Sequence, residues 1–257
     1  MIRAWLDMPP AGIFLSLCLI YFGMVVALMV LAFRARTRRP IHALHGVVAP
    51  FFNAVAILFA LLAGFLANDV SERGRQAIRT VQAEAGELRN IHTLSVASVS
   101  DMQSIRSALN AYVSSLIADE WPAMDAAKPS PRTAAAYDNL LREVSQPGLA
   151  KASGQVVHSA LMNAAVRAGT LRNTRLALAG DHTDEMKWLV VMALGLITQV
   201  AIGLVHLERP RAFMAALTVF ATAAVIALGF IALQEYPFSG TLQVPPTPIA
   251  AISALGN

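Results

Sequence analysis

The 257-residue chain is poor in charge and nearly devoid of cysteine, and both shortages exclude classes of protein. Cys18 is the single cysteine, so no disulfide can form within the chain. Charged residues make up 14% of the sequence, against about 25% in a typical soluble domain. Because 56% of the residues are hydrophobic, the composition indicates an integral membrane protein.

The sequence also lacks the motifs of an enzyme or of a cofactor site. It contains no GxSxG elbow, no P-loop, no GxGxxG opening a helix, no CxxC and no HExxH. His42, His45 and His206 would lie at one membrane edge, where histidines are usually just solvated. We therefore predict no catalytic residue, no metal site and no cofactor. The net charge of +4 does not indicate nucleic-acid binding, because the arginines lie at membrane boundaries and do not alternate with aromatics.

Four apolar runs are each long enough to cross a hydrocarbon core of about 30 Å. They predict spans at about 12–33 and 48–67 in an N-terminal region, 1–67, and a further pair within 188–233. Arginine-bearing loops, Arg34–Arg39 and His206–Arg211, follow the first and third runs and are cytoplasmic by the positive-inside rule. We therefore expect a multi-pass protein of the inner (plasma) membrane. Both termini, the tail 234–257 and the module 68–187 would be extracytoplasmic.

The module 68–187 predicts a helical hairpin that contains one long helix. Apolar residues recur every three or four positions up to Trp121-Pro122, which is a heptad seam. Ser130 before Pro131 is an N-cap signal and begins the return through two shorter helices. The seam carries Ile78, Val81, Ala85, Leu88, Val99, Met102, Leu109, Val113 and Leu116, with His92, Ser95 and Arg106 as polar members. The expected fold class is an all-α integral membrane protein, four transmembrane helices with an extracytoplasmic helical hairpin or bundle.

Two carboxylates on or near the long helix, Glu84 and Glu120, leave two interpretations open. They could bind a cation or ligand or line an ion vestibule, or they could form ion pairs across the hairpin with Arg89, Arg106 or Arg167. Arg106 falls on the apolar seam, and a buried arginine must be paired, so an internal ion pair is favoured. Trp121 with Pro122 indicates a helix stop whose indole covers the hairpin tip; the alternative is a knob that binds a partner.

Asn53, Thr198 and Gln199 are the main polar side chains deep in the spans. Such groups face the interior of a helix bundle and not lipid, where they either bond neighbouring helices or line a pore. A ridge of small residues, Ala56, Ala60 and Gly64, would let another helix approach closely. No charged residue lies in the middle of a span, which argues against a proton-coupled transporter.

Four short stretches form a wider pattern: Glu84 between two alanines, Tyr112 followed by Asp119-Glu120-Trp121-Pro122, the turn His206-x-x-Arg209-Pro210, and Pro237-Phe238-Ser-Gly240. Together they resemble the bestrophin-like domain family of bacterial and plant membrane proteins over nearly the whole chain. Glu235-Tyr236 stands where that family is expected to have an Asp-Arg pair.

The resemblance implies kinship with bestrophin anion channels. Four spans cannot enclose a wide pore alone, so a channel requires a homo-oligomer in the lipid bilayer. Asn53, Thr198 and Gln199 would line or brace the pore, and Arg209 and Arg211 would concentrate anions at its mouth. The alternative is a sensor or scaffold without catalytic activity, whose extracytoplasmic module binds a ligand or an envelope partner.

Overall fold

The computed structural model describes residues 2–34, 49–98, 100–240 and 242–256. Most of the first basic loop, His42 and His45, the seam residue Val99 and Thr241 therefore lie outside the described residues. Within the described ranges the structure is helical and contains no strand. The helices are α1 (Ile2–Leu6), α2 (Pro10–Phe33), α3 (Ala49–Ala97), α4 (Gln103–Ser115), α5 (Pro131–Val144), α6 (Pro147–Ser153), α7 (Gln155–Gly180), α8 (Glu185–Val205), α9 (Pro210–Leu233) and α10 (Thr247–Ser253).

Four of these helices, α2, α3, α8 and α9, are long and apolar enough to cross a membrane. They confirm the expected all-α membrane fold class with four spans. The long helix α3 passes through Asn68 and Asp69 without a break, so the second span and the amphipathic stretch after it are one helix. The chain divides into two compact units, Met1–Glu72 with His182–Glu235 (unit 1) and Arg73–Asp181 with Tyr236–Asn257 (unit 2).

Unit 1 is held together by aromatic rings that lie against glycines. A Cβ atom on Gly229 would stand 2.3 Å from the ring of Phe14, and one on Gly195 would stand 2.2 Å from the hydroxyl of Tyr21. Helices in lipid associate through such close packing, because lipid tails are as apolar as leucine and no hydrophobic force drives the helices together. The missing side chains of these two glycines therefore set how closely α8 and α9 approach α2.

Unit 2 has an apolar core that follows the expected seam with one change of phase. Val81, Ala85 and Leu88 of α3 are buried, as are Met102, Leu109, Val113 and Leu116. Ile78, however, is 45% exposed, and Ala77 is buried in its place. A straight α-helix has 3.6 residues per turn and not 3.5, so a strict heptad pattern drifts off the buried face.

The prediction that the heptad seam forms one unbroken helix up to Trp121 is wrong, because α3 ends at Ala97 and α4 begins at Gln103. The intervening stretch offers the backbone competing partners, as serine and aspartate commonly do. The hydroxyls of Ser98 and Ser100 bond each other at 2.9 Å, and the Asp101 carboxylate accepts the Gln103 amide at 3.0 Å.

The C-terminal tail is partly helical. It forms the short helix α10, whose Ile249 and Ile252 are fully buried in the core of unit 2. This helix packs on α4. The tail therefore completes the core of unit 2.

Candidate functional site

Five polar residues that are far apart in sequence meet inside unit 2. Glu84 comes from α3, Tyr112 from α4, Glu120 from the π-helical turn Leu116–Glu120, and Arg172 and Arg175 from α7. Both glutamates, Tyr112 and Arg175 are completely buried, and Arg172 is 6% exposed. We call these five residues the charge cluster.

Arg175 lies at the centre of the charge cluster and bridges the two carboxylates. Its Nε donates to Oε2 of Glu84 at 2.7 Å, and its Nη2 donates to Oε1 of Glu120 at 2.9 Å. The hydroxyl of Tyr112 donates to Oε1 of Glu84 at 3.3 Å. One guanidinium therefore joins α3, α7 and the turn after α4.

Arg172 pairs with Glu120 alone and holds it from the other side. Its Nε lies 3.0 and 3.1 Å from the two carboxylate oxygens, and its Nη2 also donates to Oε2. The backbone amide of Ser130, the residue that caps α5, donates to the same oxygen at 3.3 Å. Glu120 thereby ties α7 to the start of α5. It is the last residue of the π-helical turn Leu116–Glu120, and such local widenings of a helix are frequent at functional sites.

The electrostatics of the charge cluster keep Glu120 ionised and Tyr112 neutral. Burial alone would raise the pKa of Glu120, but the hydrogen bond from Arg172 and the charges of Arg175 and Arg172 outweigh it and hold that pKa below its usual value. Burial, together with the charge of Glu84, raises the pKa of Tyr112 well above its usual value, so this phenol stays neutral. Two carboxylates and two guanidiniums then leave no net charge.

This pairing decides what the charge cluster can do chemically. Each carboxylate already has a guanidinium partner, so a cation could bind only by displacing an arginine. The same holds for an anion, which would have to displace a glutamate. Removing one partner of a buried pair leaves an uncompensated charge and costs about 3–5 kcal/mol, so the cluster acts as a clamp between helices.

An aromatic pair from the second and fourth family-like stretches covers the charge cluster. The guanidinium carbon of Arg175 lies 5.1 Å from the centre of the Trp121 ring, which is a cation–π contact. Phe238 meets the same indole edge to face, with ring centres 6.0 Å apart. Gly240 follows with φ +79°, a left-handed conformation that favours glycine. The Trp-Pro and Pro-Phe-x-Gly stretches thus meet in one place. The carbonyl of Pro237 accepts a hydrogen bond from the amide of Val244 at 2.8 Å, which closes the tail turn.

The expected partners of the glutamates were wrong, although the expectation of internal ion pairs was right. Arg106 is half-buried and donates to the carbonyl of Ser95 at 2.9 Å, where α3 ends, and to Gln103 and Asp101 nearby. It caps a helix end and does not reach Glu84 or Glu120. Arg167 pairs instead with Glu87 at 3.7 Å.

Sequence reasoning missed Arg172 and Arg175, yet a signal for them exists. The buried face of α7 runs through Leu161, Ala165 and Ala168 and continues in the same helical spacing to both arginines. Two arginines at the positions that continue an apolar helix face are predicted to be buried. Because a buried cation must be paired, they also predict buried acids nearby.

The three polar residues of the spans separate into two groups. Thr198 and Gln199 are fully buried in unit 1. The Thr198 hydroxyl donates to the carbonyl of Leu194 at 2.7 Å, and the Gln199 amide donates to the carbonyl of Tyr21 at 3.1 Å. Asn53 is exposed on the surface of α3. Gln199 therefore joins α8 to α2, Thr198 bonds within α8, and Asn53 faces outward.

The turn between α8 and α9 contains the remaining family-like residues. The His206 ring bonds the carbonyl of Ile202 at 2.9 Å and ends α8, while Pro210 opens α9 as its first residue. Arg209 and Arg211 are exposed on this turn. The turn therefore joins the end of α8 to a proline at the first position of α9, and two exposed arginines lie beside it.

Comparisons with known proteins identify the family of this chain and its fold. The family model for the Bestrophin-like domain matches residues 19–249. The chain belongs to the Bestrophin-like domain family. Among curated proteins, none matches this sequence.

Solved structures of a bacterial bestrophin homologue from Klebsiella pneumoniae share the fold. One single-residue variant of it aligns with a TM-score of 0.69 at 17% identity, covering 94% of this chain and 97% of that chain. A second variant covers 97% of both chains with a TM-score of 0.67, and the zinc-phased structure covers 95% and 97% with a TM-score of 0.67, both at 17% identity. At this identity the likeness establishes the bestrophin fold of this membrane protein.

Proposed function

We propose that this member of the Bestrophin-like family is a homo-oligomeric ion channel that conducts anions. An ion channel needs no catalytic residue. This agrees with the charge cluster, whose polar groups are buried and paired with one another. The family membership and the bestrophin fold support the proposal, and one feature of unit 1 carries it.

That feature is the outward face of α3 within the membrane. Asn53 is exposed there, and so are the small residues Ala60 and Gly64 of the predicted ridge. A side-chain amide that faces hydrocarbon is costly, whereas one that faces a water-filled pore is not. Copies of α3 around a common axis would remove Asn53 from lipid and give ions a polar path. Thr198 and Gln199 would brace the helices behind it.

Charge would favour anions at the ends of such a path. The exposed Arg209 and Arg211 lie on the turn that the positive-inside rule places in the cytoplasm. No acid is expected in the middle of a span, and positive charge at a pore mouth raises the local anion concentration. We infer that both termini and the unit 2 module lie on the opposite, extracytoplasmic side.

Conductance of the purified protein in a planar bilayer tests the channel. In a chloride gradient we expect a reversal potential that follows chloride, and in a potassium gradient at constant chloride we expect no shift. Asn53→Leu should lower the single-channel conductance. Thr222→Val, at an exposed polar position of α9, is the matched control and should leave it unchanged. A reversal potential that follows potassium, or a protein that is monomeric at all concentrations, would overturn the proposal.

The membrane orientation has its own test, because Cys18 can be replaced by serine to give a cysteine-free chain. Lys151→Cys in unit 2 and Arg211→Cys in the basic turn are both at exposed positions. In spheroplasts, an impermeant maleimide should label the first and spare the second. The reverse pattern would place the module in the cytoplasm.

A further inference from the structure

A cleft of about 470 Å³ lies within unit 1, between the membrane parts of α3 and α8. Two of its lining residues, Leu66 and Val191, are almost completely buried and form its floor. Phe65 and Val190 are 58% and 43% exposed and form its rims. The lining residues are Leu62, Phe65, Leu66, Asp69, Met186, Lys187, Val190 and Val191.

The lining is sharply divided between apolar and charged residues. Six apolar side chains follow the two spans, and the charged pair Asp69 and Lys187 closes one end. The Lys187 ammonium donates to the Asp69 carboxylate at 2.6 Å, and the two side chains are 56% and 41% exposed. Since Asp69 follows the apolar run of α3 and Lys187 opens that of α8, the pair lies where hydrocarbon gives way to water.

A cleft with apolar walls and one charged end is complementary to an amphiphilic molecule. The rims of the cleft are exposed positions of two membrane spans, so we expect hydrocarbon to be the solvent of its apolar walls. Its polar end presents one cation and one anion side by side, both with surface left to contact a ligand.

We propose that this cleft binds one bilayer phospholipid with a zwitterionic amino headgroup. An acyl chain lies along Leu66 and Val191, the phosphate contacts Lys187 and the ammonium contacts Asp69. An anionic headgroup fits less well, because its phosphate on Lys187 would stand beside Asp69 with no compensating cation. Asp184, the N-cap of α8, and Glu185 in its first turn add further negative charge. Arg3 forms an ion pair with Glu185 at 3.6 Å. The proposal is independent of ion conduction.

Native mass spectrometry of the full-length protein, released from nanodiscs of equal phosphatidylethanolamine and phosphatidylglycerol, tests the site. We expect phosphatidylethanolamine to remain bound in preference. Val190→Trp fills the cleft from an exposed rim and should weaken that binding by about tenfold or more. Val219→Trp makes the same change on α9, at a position 70% exposed and outside the cleft, and should leave binding unchanged. Equal retention in Val190→Trp and wild type would overturn the proposal.

The headgroup is tested separately by Asp69→Asn. Without its carboxylate the polar end becomes cationic, so the preference should change to phosphatidylglycerol. A wild-type protein that holds both lipids equally, or a preference that Asp69→Asn does not alter, would show that the charged pair does not select the headgroup.

A neighbouring protomer could fill the cleft instead of lipid. In a Cys18→Ser background, Val190→Cys should stay monomeric on denaturing gels after copper-phenanthroline oxidation in native membranes. Efficient crosslinking to a second copy through residue 190 would assign the cleft to a protein interface and overturn the lipid site.

Discussion

The two units of this protein solve the problem of holding helices together in different ways. In unit 1 rings such as Phe14 lie against glycines such as Gly229, and the buried polar groups Thr198 and Gln199 bond mainly to backbone carbonyls. In unit 2 an apolar core surrounds two carboxylates and two guanidiniums that bond each other. The first unit depends on shape, whereas the second adds charge to a hydrophobic core.

The difference follows from the solvent around each unit. In lipid there is no hydrophobic force between helices, so close contact is what favours their association. A water-facing unit gains stability from burying apolar area, but apolar burial is not directional. The buried ion pairs of unit 2 determine which helices meet. Removing one partner of such a pair leaves a buried charge unpaired and is strongly destabilising.

The largest effect is expected where the charge cluster loses its bridge. Arg175→Met leaves Glu84 with only the Tyr112 hydroxyl and should destabilise unit 2 by about 3–5 kcal/mol. Arg89→Met, at an exposed position of α3, is the control and should change stability by less than about 0.5 kcal/mol. Thermal unfolding followed through tryptophan fluorescence measures both, in a background where Trp5 and Trp188 of unit 1 are replaced by phenylalanine so that Trp121 alone reports. Equal melting temperatures for the two variants would show that the charge cluster does not stabilise unit 2.

A smaller effect is expected from shape alone in unit 1. Gly229→Ala places a methyl group against Phe14, and overpacking of this kind costs about 1–3 kcal/mol. Gly23→Ala adds the same methyl where no described atom beyond its chain neighbours and its own helix backbone lies within 4 Å, and it should be neutral. Resistance to unfolding in increasing fractions of a denaturing detergent compares the pair. If both alanines are tolerated equally, the glycines of unit 1 do not set its packing.

Arg106 should matter less than Arg175, although both are arginines in unit 2. Arg106→Ala removes the cap on the Ser95 carbonyl, and the loss should be about 1 kcal/mol because the side chain is 25% exposed. Hydrogen exchange of the last turn of α3 should become faster. Arg142→Ala, an exposed residue that bonds Asn139 within its own helix, is the control. A loss as large as that of Arg175→Met would mean that the two arginines play equivalent roles.

The smallest effect appears only in acid. Because the pKa of Glu120 is lowered in the folded state, its contribution is complete above the pKa of an unfolded glutamate, about 4.3. That contribution is lost as the pH falls through the lowered pKa. Unit 2 should therefore become more sensitive to proteolysis below about pH 4. Glu120→Gln should flatten this dependence and Glu143→Gln should not; an unchanged slope in Glu120→Gln would assign the acid sensitivity to other groups.

Local patterns explain which expectations succeeded. The apolar runs predicted the four membrane helices, since length and hydropathy are properties of each segment alone. Ser130 caps α5 through its bond to the Thr133 amide, with Pro131 as the first helical residue. The seam predicted most of the core of unit 2, although the break after Ala97 was missed because serine and aspartate side chains outcompeted the helix there.

Composition and local pattern by themselves determined the membrane class, the helical content and the family resemblance, because each depends on short stretches of neighbouring residues. Only the tertiary structure decided that Arg172 and Arg175 pair with Glu84 and Glu120, 52 to 91 residues away in sequence. It also decided that Gln199 turns inward while Asn53 faces out. Partners of a buried charge and the direction of a helix face follow from which helices pack together, and that choice depends on the whole chain.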